Sequence, residues 1–223
     1  HEVIRLSGMN LIIDDFDHQL IIKVASIQSA RMQIYFIDNE EYFPKKSMFH
    51  DENGNFLKNN EERMIFYCKG VIETVKKLGW SPEIIHCQGW FSSLIPLYIK
   101  KVYNEDPLFR DTKIIYNVFN NTFKGKLNPE IIDKLLYEKK LEKTDLSRLK
   151  TANYINITKL GIDYADAIIQ GSENINTEIS EYIQASKLPY MEFPGKEEEE
   201  YESKYNNFFN SLVEEEELEL SEK

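Results

Sequence analysis

Glu83-Ile84-Ile85-His86-Cys87-Gln88-Gly89-Trp90-Phe91-Ser92-Ser93 is an apolar run that turns polar at its end and passes straight into residues suited to a helix. It reads as a strand-to-helix junction. In an open parallel sheet, ligands sit beyond the carboxyl ends of the strands, where the next helix presents unpaired N–H groups and the positive end of its dipole. This junction sets a histidine, a carboxamide, a glycine and a tryptophan at such an edge.

The pattern continues downstream. The strand from Ile84 to Cys87 is followed by a helix over about Trp90 to Tyr103 and a strand from Lys113 to Phe119. After a loop around Asn120 to Lys126 come a helix over Pro129 to Leu136 and a long helix from about Leu146 to Tyr164. A strand from Ala167 to Gln170 and a helix over about Asn174 to Ile183 complete the series. Upstream, Val3 to Leu6, Asn10 to Ile13, Gln19 to Val24 and Met32 to Ile37 read as strands, with a polar turn from Asp14 to His18. Asn39 to Asn60 reads as a surface loop, and Glu61 to Leu78 as a helix that Gly79 closes. Strands separated by helices of this length pair in parallel through right-handed crossovers. The expected fold is therefore α/β, a doubly wound, mainly parallel sheet lengthened by an early antiparallel hairpin. Residues 1–195 are expected to form this domain, with Pro189 to Gly195 leaving the layer. Residues 196–223 read as an acidic tail, partly helical or disordered.

Charge supports that division. The formal net charge of the 223-residue chain is −11. Residues 196–223 hold 11 acidic residues and three lysines, so −8 lies in the tail and −3 in the rest. The acidic bias therefore says nothing of a cationic partner for the body, and no basic patch with interleaved aromatics argues for nucleic acid. No apolar run approaches the about 18 residues a membrane span needs, and no signal peptide is visible. Cys68 and Cys87 lack zinc-ligand spacing and read as two buried thiols in a reducing cytoplasm, with no metal implied. The chain opens on His1 rather than Met, and residues are expected to be missing upstream.

Each candidate site residue has a plainer structural reading beside the functional one. His86 ends an apolar run, where a histidine is also an ordinary structural hydrogen-bonder. Gln88 can donate to and accept from a sugar hydroxyl, and Gly89 lets a ligand approach the backbone, yet together they also suit a simple turn. Trp90 serves equally as a core anchor, and Asn120-Asn121 as a loop bonding its own backbone. Ser172, after the last strand, reads as a helix cap. The chain has no GxGxxG, P-loop, GxSxG elbow or HExxH, and nothing supplies a nucleophile with an oriented base. No catalytic residue is assigned.

The order of these motifs resembles the N-terminal catalytic domain of bacterial glycogen and starch synthases, the family 5 glycosyltransferases. Where that family has His-x-His-Asp-Trp-His, this chain has His86-Cys87-Gln88-Gly89-Trp90-Phe91; His86 and Trp90 match, and Gln88 stands at the second histidine. Where it has Ile-His-Asn-Leu-Ala-Tyr-Gln-Gly, this chain has Val118-Phe119-Asn120-Asn121-Thr122-Phe123-Lys124-Gly125, with Asn120 and Gly125 matching. The family stretch Asn-Phe-Leu-Lys-x-Gly-Ile-x-Tyr-Ala-Asp is similar to Asn156 through Asp166, sharing Asn156, Lys159, Gly161, Ile162, Tyr164, Ala165 and Asp166. The resemblance runs from about Met32 to Ile179. It implies a Rossmann-like half of a GT-B glycosyltransferase, moving glucose from ADP-glucose to an α-1,4-glucan in glycogen biosynthesis, with no cofactor. It also implies that His86, Gln88, Gly89, Trp90 and Asn120 are substrate-binding. The resemblance further implies a shortened branch that stops before the nucleotide-holding half, expected to be incomplete alone unless a partner chain supplies it. A non-catalytic glucan-binding or regulatory module is the other reading.

Overall fold

The computed structural model describes residues 2–44, 48–195 and 198–221. In chain order its elements are β1 (Ile4–Ile13), β2 (Phe16–Ile27), β3 (Met32–Asp38), α1 (Asn60–Leu78), β4 (Ile84–Gln88), α2 (Leu94–Leu97), β5 (Lys113–Val118), α3 (Ile131–Leu136), α4 (Tyr154–Asp163), β6 (Ala167–Gln170), α5 (Thr177–Ser186), β7 (Tyr190–Met191) and α6 (Glu198–Ser221). They fall into two compact units, residues 1–79 with 127–150, and residues 80–126 with 151–223.

In the first unit the expected hairpin is a three-stranded antiparallel meander, β1-β2-β3. Asp14 and Asp15 form the tight turn between Ile13 and Phe16, with Asp14 at φ 55 in the left-handed region that short polar side chains tolerate. Helix α1 lies against one face of the meander. It does so through Gly70, where an added Cβ would come within 2.8 Å of Ile37 and 3.3 Å of Leu20. Gly79 ends α1 as expected, at φ 71, its N–H bonded to the carbonyls of Val75 and Lys76. Beneath α1, Lys134 of α3 is buried and donates to Glu61 Oε1 at 3.0 Å and Glu62 Oε1 at 2.5 Å. A buried charge survives only when paired in this way.

The second unit carries a parallel sheet ordered β4-β5-β6-β7, with helices on both faces. Ile114 to Val118 are all buried, which explains why β5 reads as a run that is apolar except at Asn117. On one face, Tyr116 packs so closely on α4 that a Cβ at Gly161 would lie 2.7 Å from its ring. On the other, Ile115, Ala167 and Ile169 form a core with Tyr205 and Leu212 of α6, and Ile84, Met191, Phe208 and Phe209 pack around it. The Glu-rich segment is thus a long helix whose apolar stripe covers the sheet.

Several boundaries differ from the sequence reading. The expected helix from Trp90 to Tyr103 is a succession of 3-10 turn (Trp90–Ser92), α2 and π-helical turn (Tyr98–Val102). At its start, Ser92 and Ser93 hydroxyls donate to the carbonyls of Gly89 and Trp90, competing with the α-helical ladder. The long helix expected from Leu146 breaks into a 3-10 segment, Ser147–Thr151, and α4. Asn153 restarts the chain as an N-cap by accepting the N–H of Asn156 at 2.9 Å. Pro189 to Gly195 does not simply leave the layer, because Tyr190–Met191 adds β7 beside β6. Two residues are too few for a period to reveal. Cys68 and Cys87 are buried thiols outside any disulfide.

Candidate functional site

At the carboxyl edge of the parallel sheet, three loops are tied together by their own backbone. Gly89 leaves β4 at φ 72, a conformation that favours glycine, and its N–H donates to the carbonyl of Asn117 at 2.9 Å. A Cβ there would lie 2.6 Å from Asn121 Nδ2, so the carboxamide of Asn121 rests on Gly89. The N–H of Gly171 donates to Val118 O at 2.8 Å, and the N–H of Asn120 donates to Ser172 Oγ at 3.0 Å. Ser172 therefore bridges two loops rather than capping a helix. The cap of α5 is Asn176, which accepts the N–H of Glu178 at 3.0 Å.

Gln88 and Asn120 are exposed at this edge, and Gly89 is buried beneath Asn121. Trp90 is 1% exposed, with its ring 4.6 Å from Phe123 and 5.2 Å from Phe91. It forms the floor under the loops. His86 lies two residues back from the edge on the face covered by α6, its ring 5.8 Å from Tyr205 and 5.5 Å from Phe209. Its Nε2 is buried without a hydrogen-bond partner, and burial lowers its pKa from 6.5 to about 4. The imidazole is neutral at physiological pH. The structure thus brings Gln88, Gly89 and Asn120 to one edge, with Trp90 below it and His86 behind it.

Asn117 escaped the sequence reading. Its carbonyl accepts from Gly89, its Nδ2 donates to the Tyr205 hydroxyl at 2.9 Å, and its buried Oδ1 has no hydrogen-bond partner. That oxygen is also the reason position 171 is glycine, since a Cβ there would lie 2.2 Å from it. A lone asparagine inside Ile114-Ile115-Tyr116-Asn117-Val118 was the available signal, because buried strands seldom carry an amide without a task.

The side chains gathered around Gly89 at the edge are the exposed carboxamides of Gln88, Asn120 and Asn121 and the half-buried hydroxyl of Ser172, which donate and accept hydrogen bonds without titrating near neutrality. Such an edge suits a polyhydroxylated ligand better than proton transfer. Among the described residues, no group of three or more His, Cys, Asp or Glu side chains could hold a metal ion, and no helix is long and apolar enough to cross a membrane. A cavity of about 370 Å³ lined by Tyr42, Pro44, Asp51, Glu52, Asn53, Leu57 and Arg63 lies in the first unit, so none of the edge residues borders it.

A parallel α/β layer with a polar, glycine-relieved carboxyl edge defines a Rossmann-like domain. The chain belongs to the starch synthase catalytic domain family, whose model matches residues 1–190. It is 36% identical over 180 residues to a glycogen synthase of Chlorobium limicola, covering 80% of this chain and 36% of that protein. It is 32% identical over 214 residues to a glycogen synthase of Pelodictyon phaeoclathratiforme, covering 95% of this chain and 42% of that one. The chain therefore spans well under half the length of these relatives. Among solved structures, the catalytic domain of Starch Synthase IV from Arabidopsis thaliana, bound to ADP and acarbose, has the same fold. That match has a TM-score of 0.67 at 14% identity, over 86% of this chain and 40% of that one.

Proposed function

We propose that this chain is the glucan-engaging part of an ADP-glucose-dependent hexosyltransferase of cytoplasmic glycogen biosynthesis. In the reaction, the bond between glucose C1 and the diphosphate breaks, ADP leaves with the electron pair, and the terminal 4-hydroxyl of an α-1,4-glucan joins C1 and loses its proton. Gln88 and Asn120 hydrogen-bond sugar hydroxyls, Gly89 admits the ligand to the backbone, and Trp90 and His86 support these positions from below and behind. The observation that carries the reading is the convergence of Gln88, Gly89 and Asn120 on one strand edge in a chain of this family. A further domain or partner chain holds the nucleotide and stabilises the leaving diphosphate, where much of the rate of such a transfer arises.

The experiment is incubation of the purified chain with ADP-glucose and glycogen, beside calorimetric titration with maltoheptaose. The reading expects saturable maltoheptaose binding and turnover far below the about 10 s⁻¹ typical of enzymes. No glucan binding at millimolar sugar would overturn the glucan assignment. Turnover by the chain alone at an ordinary enzyme's rate would overturn the need for a second half.

A further inference from the structure

Helix α6 reaches the candidate edge as well as the sheet face. The ring of Tyr205 packs into the core, and its hydroxyl accepts from Asn117 Nδ2, whose backbone carbonyl in turn accepts from Gly89 N–H. One turn later in the helix, Phe209 contacts His86, which is nearer the amino end of β4 than Gln88, the partner of Asn117 in the sheet register. The helix therefore descends from the carboxyl edge toward the amino ends of the strands. One turn earlier than Tyr205 lies Tyr201, and this places it at the level of the edge itself. Its ring packs on that of Tyr205, with centroids 4.4 Å apart and planes tilted by 30°. One face of Tyr201 is held by this contact while the residue remains 41% exposed.

We infer that Tyr201 is a wall of the site, an aromatic platform against which a pyranose ring of the acceptor glucan packs. This inference rests on the proposed function. A flat ring fixed on one side and open on the other offers apolar surface to the C–H face of a sugar, while the carboxamides of the edge take the hydroxyls. The charge nearby selects which sugar. Glu200 and Glu202 are exposed beside Tyr201, and Lys204, among the described residues, donates to Glu200 at 3.1 Å and to Pro194 O at 2.8 Å. A nucleotide diphosphate is repelled from such a surface, whereas a neutral α-glucan gains hydrogen-bond acceptors from it.

The test is calorimetric titration of the full chain and its variants with maltoheptaose and, separately, with ADP-glucose. Tyr201→Ala and Tyr201→Leu are expected to weaken maltoheptaose binding about tenfold, and Tyr201→Phe to stay within twofold of the parent. Leucine keeps a packing contact on Tyr205 without the aromatic face, so its loss separates sugar stacking from support of the helix. Trp80→Ala, an exposed ring before the amino end of β4, is the control and leaves binding unchanged. The response to ADP-glucose is the same for all four variants as for the parent. Parent-like glucan binding by Tyr201→Leu overturns the inference and leaves the proposed function standing. So does a selective loss of ADP-glucose binding. Failure of the parent to bind maltoheptaose overturns both.

Discussion

Replacing His86 by leucine should remove an acid-sensitive contribution to stability that can be sized from its surroundings. The imidazole is packed against Tyr205 and Phe209, and its Nε2 finds no acceptor or donor. Burial lowers its pKa to about 4, against 6.5 for an exposed histidine. Above pH 6.5 the ring is neutral in folded and unfolded chains alike, so it adds no pH dependence. As pH falls from 6.5 toward 4, the unfolded chain takes up a proton that the folded chain refuses, and stability is lost at about 1.4 kcal/mol per pH unit. Below about pH 4 both states hold the proton and the loss stops, having reached about 3 kcal/mol. Urea denaturation followed by circular dichroism at half-unit steps from pH 7.5 to 3.5 measures this as the difference between parent and His86→Leu. Carboxylates common to both proteins cancel in that difference. The parent should lose about 3 kcal/mol more than the variant, with the change confined to pH 6.5 to 4. Parallel curves would refute the reasoning and mean that α6 does not bury His86.

Gly171→Ala would press a methyl to 2.2 Å from Asn117 Oδ1 and 2.6 Å from Phe119, and should destabilise the chain by about 1 to 3 kcal/mol in urea titration. Lys134→Met leaves Glu61, already short of one hydrogen bond at Oε2, buried without its cation; a loss of about 3 to 5 kcal/mol is expected, read as a lower urea midpoint. Gly89→Ala forces a side chain into φ 72 and onto Asn121, so it should cost about 1 to 2 kcal/mol and weaken maltoheptaose binding in calorimetry.

What was legible in the chain followed periodicity and caps. The apolar run through Cys87 announced β4, and Gly79 announced the end of α1, because each is set by residues adjacent in sequence. Long-range packing was not legible. The stripe Tyr205, Phe209 and Leu212 has helical spacing, but it is short and flanked by glutamate runs, and only the face of Ile115, Ala167 and Ile169 that it covers gives it a purpose. Asn153 split an expected helix because a cap competes with continuation, and periodicity registers only the continuation. At the site, Gln88, Gly89 and Asn120 were visible from their junctions. The roles of Asn117, Asn121 and Ser172 arise from contacts between separate loops, which no single stretch displays.

The most direct test of the account is a titration of the isotope-labelled chain with maltoheptaose, following the side-chain amide resonances of asparagine and glutamine by NMR. Saturable shifts of the Gln88, Asn120 and Asn121 amides, with Asn206, Asn207 and Asn210 of α6 unmoved, are the predicted result. A glucan that leaves those three edge amides unshifted, or that shifts only residues away from the carboxyl edge, would contradict it.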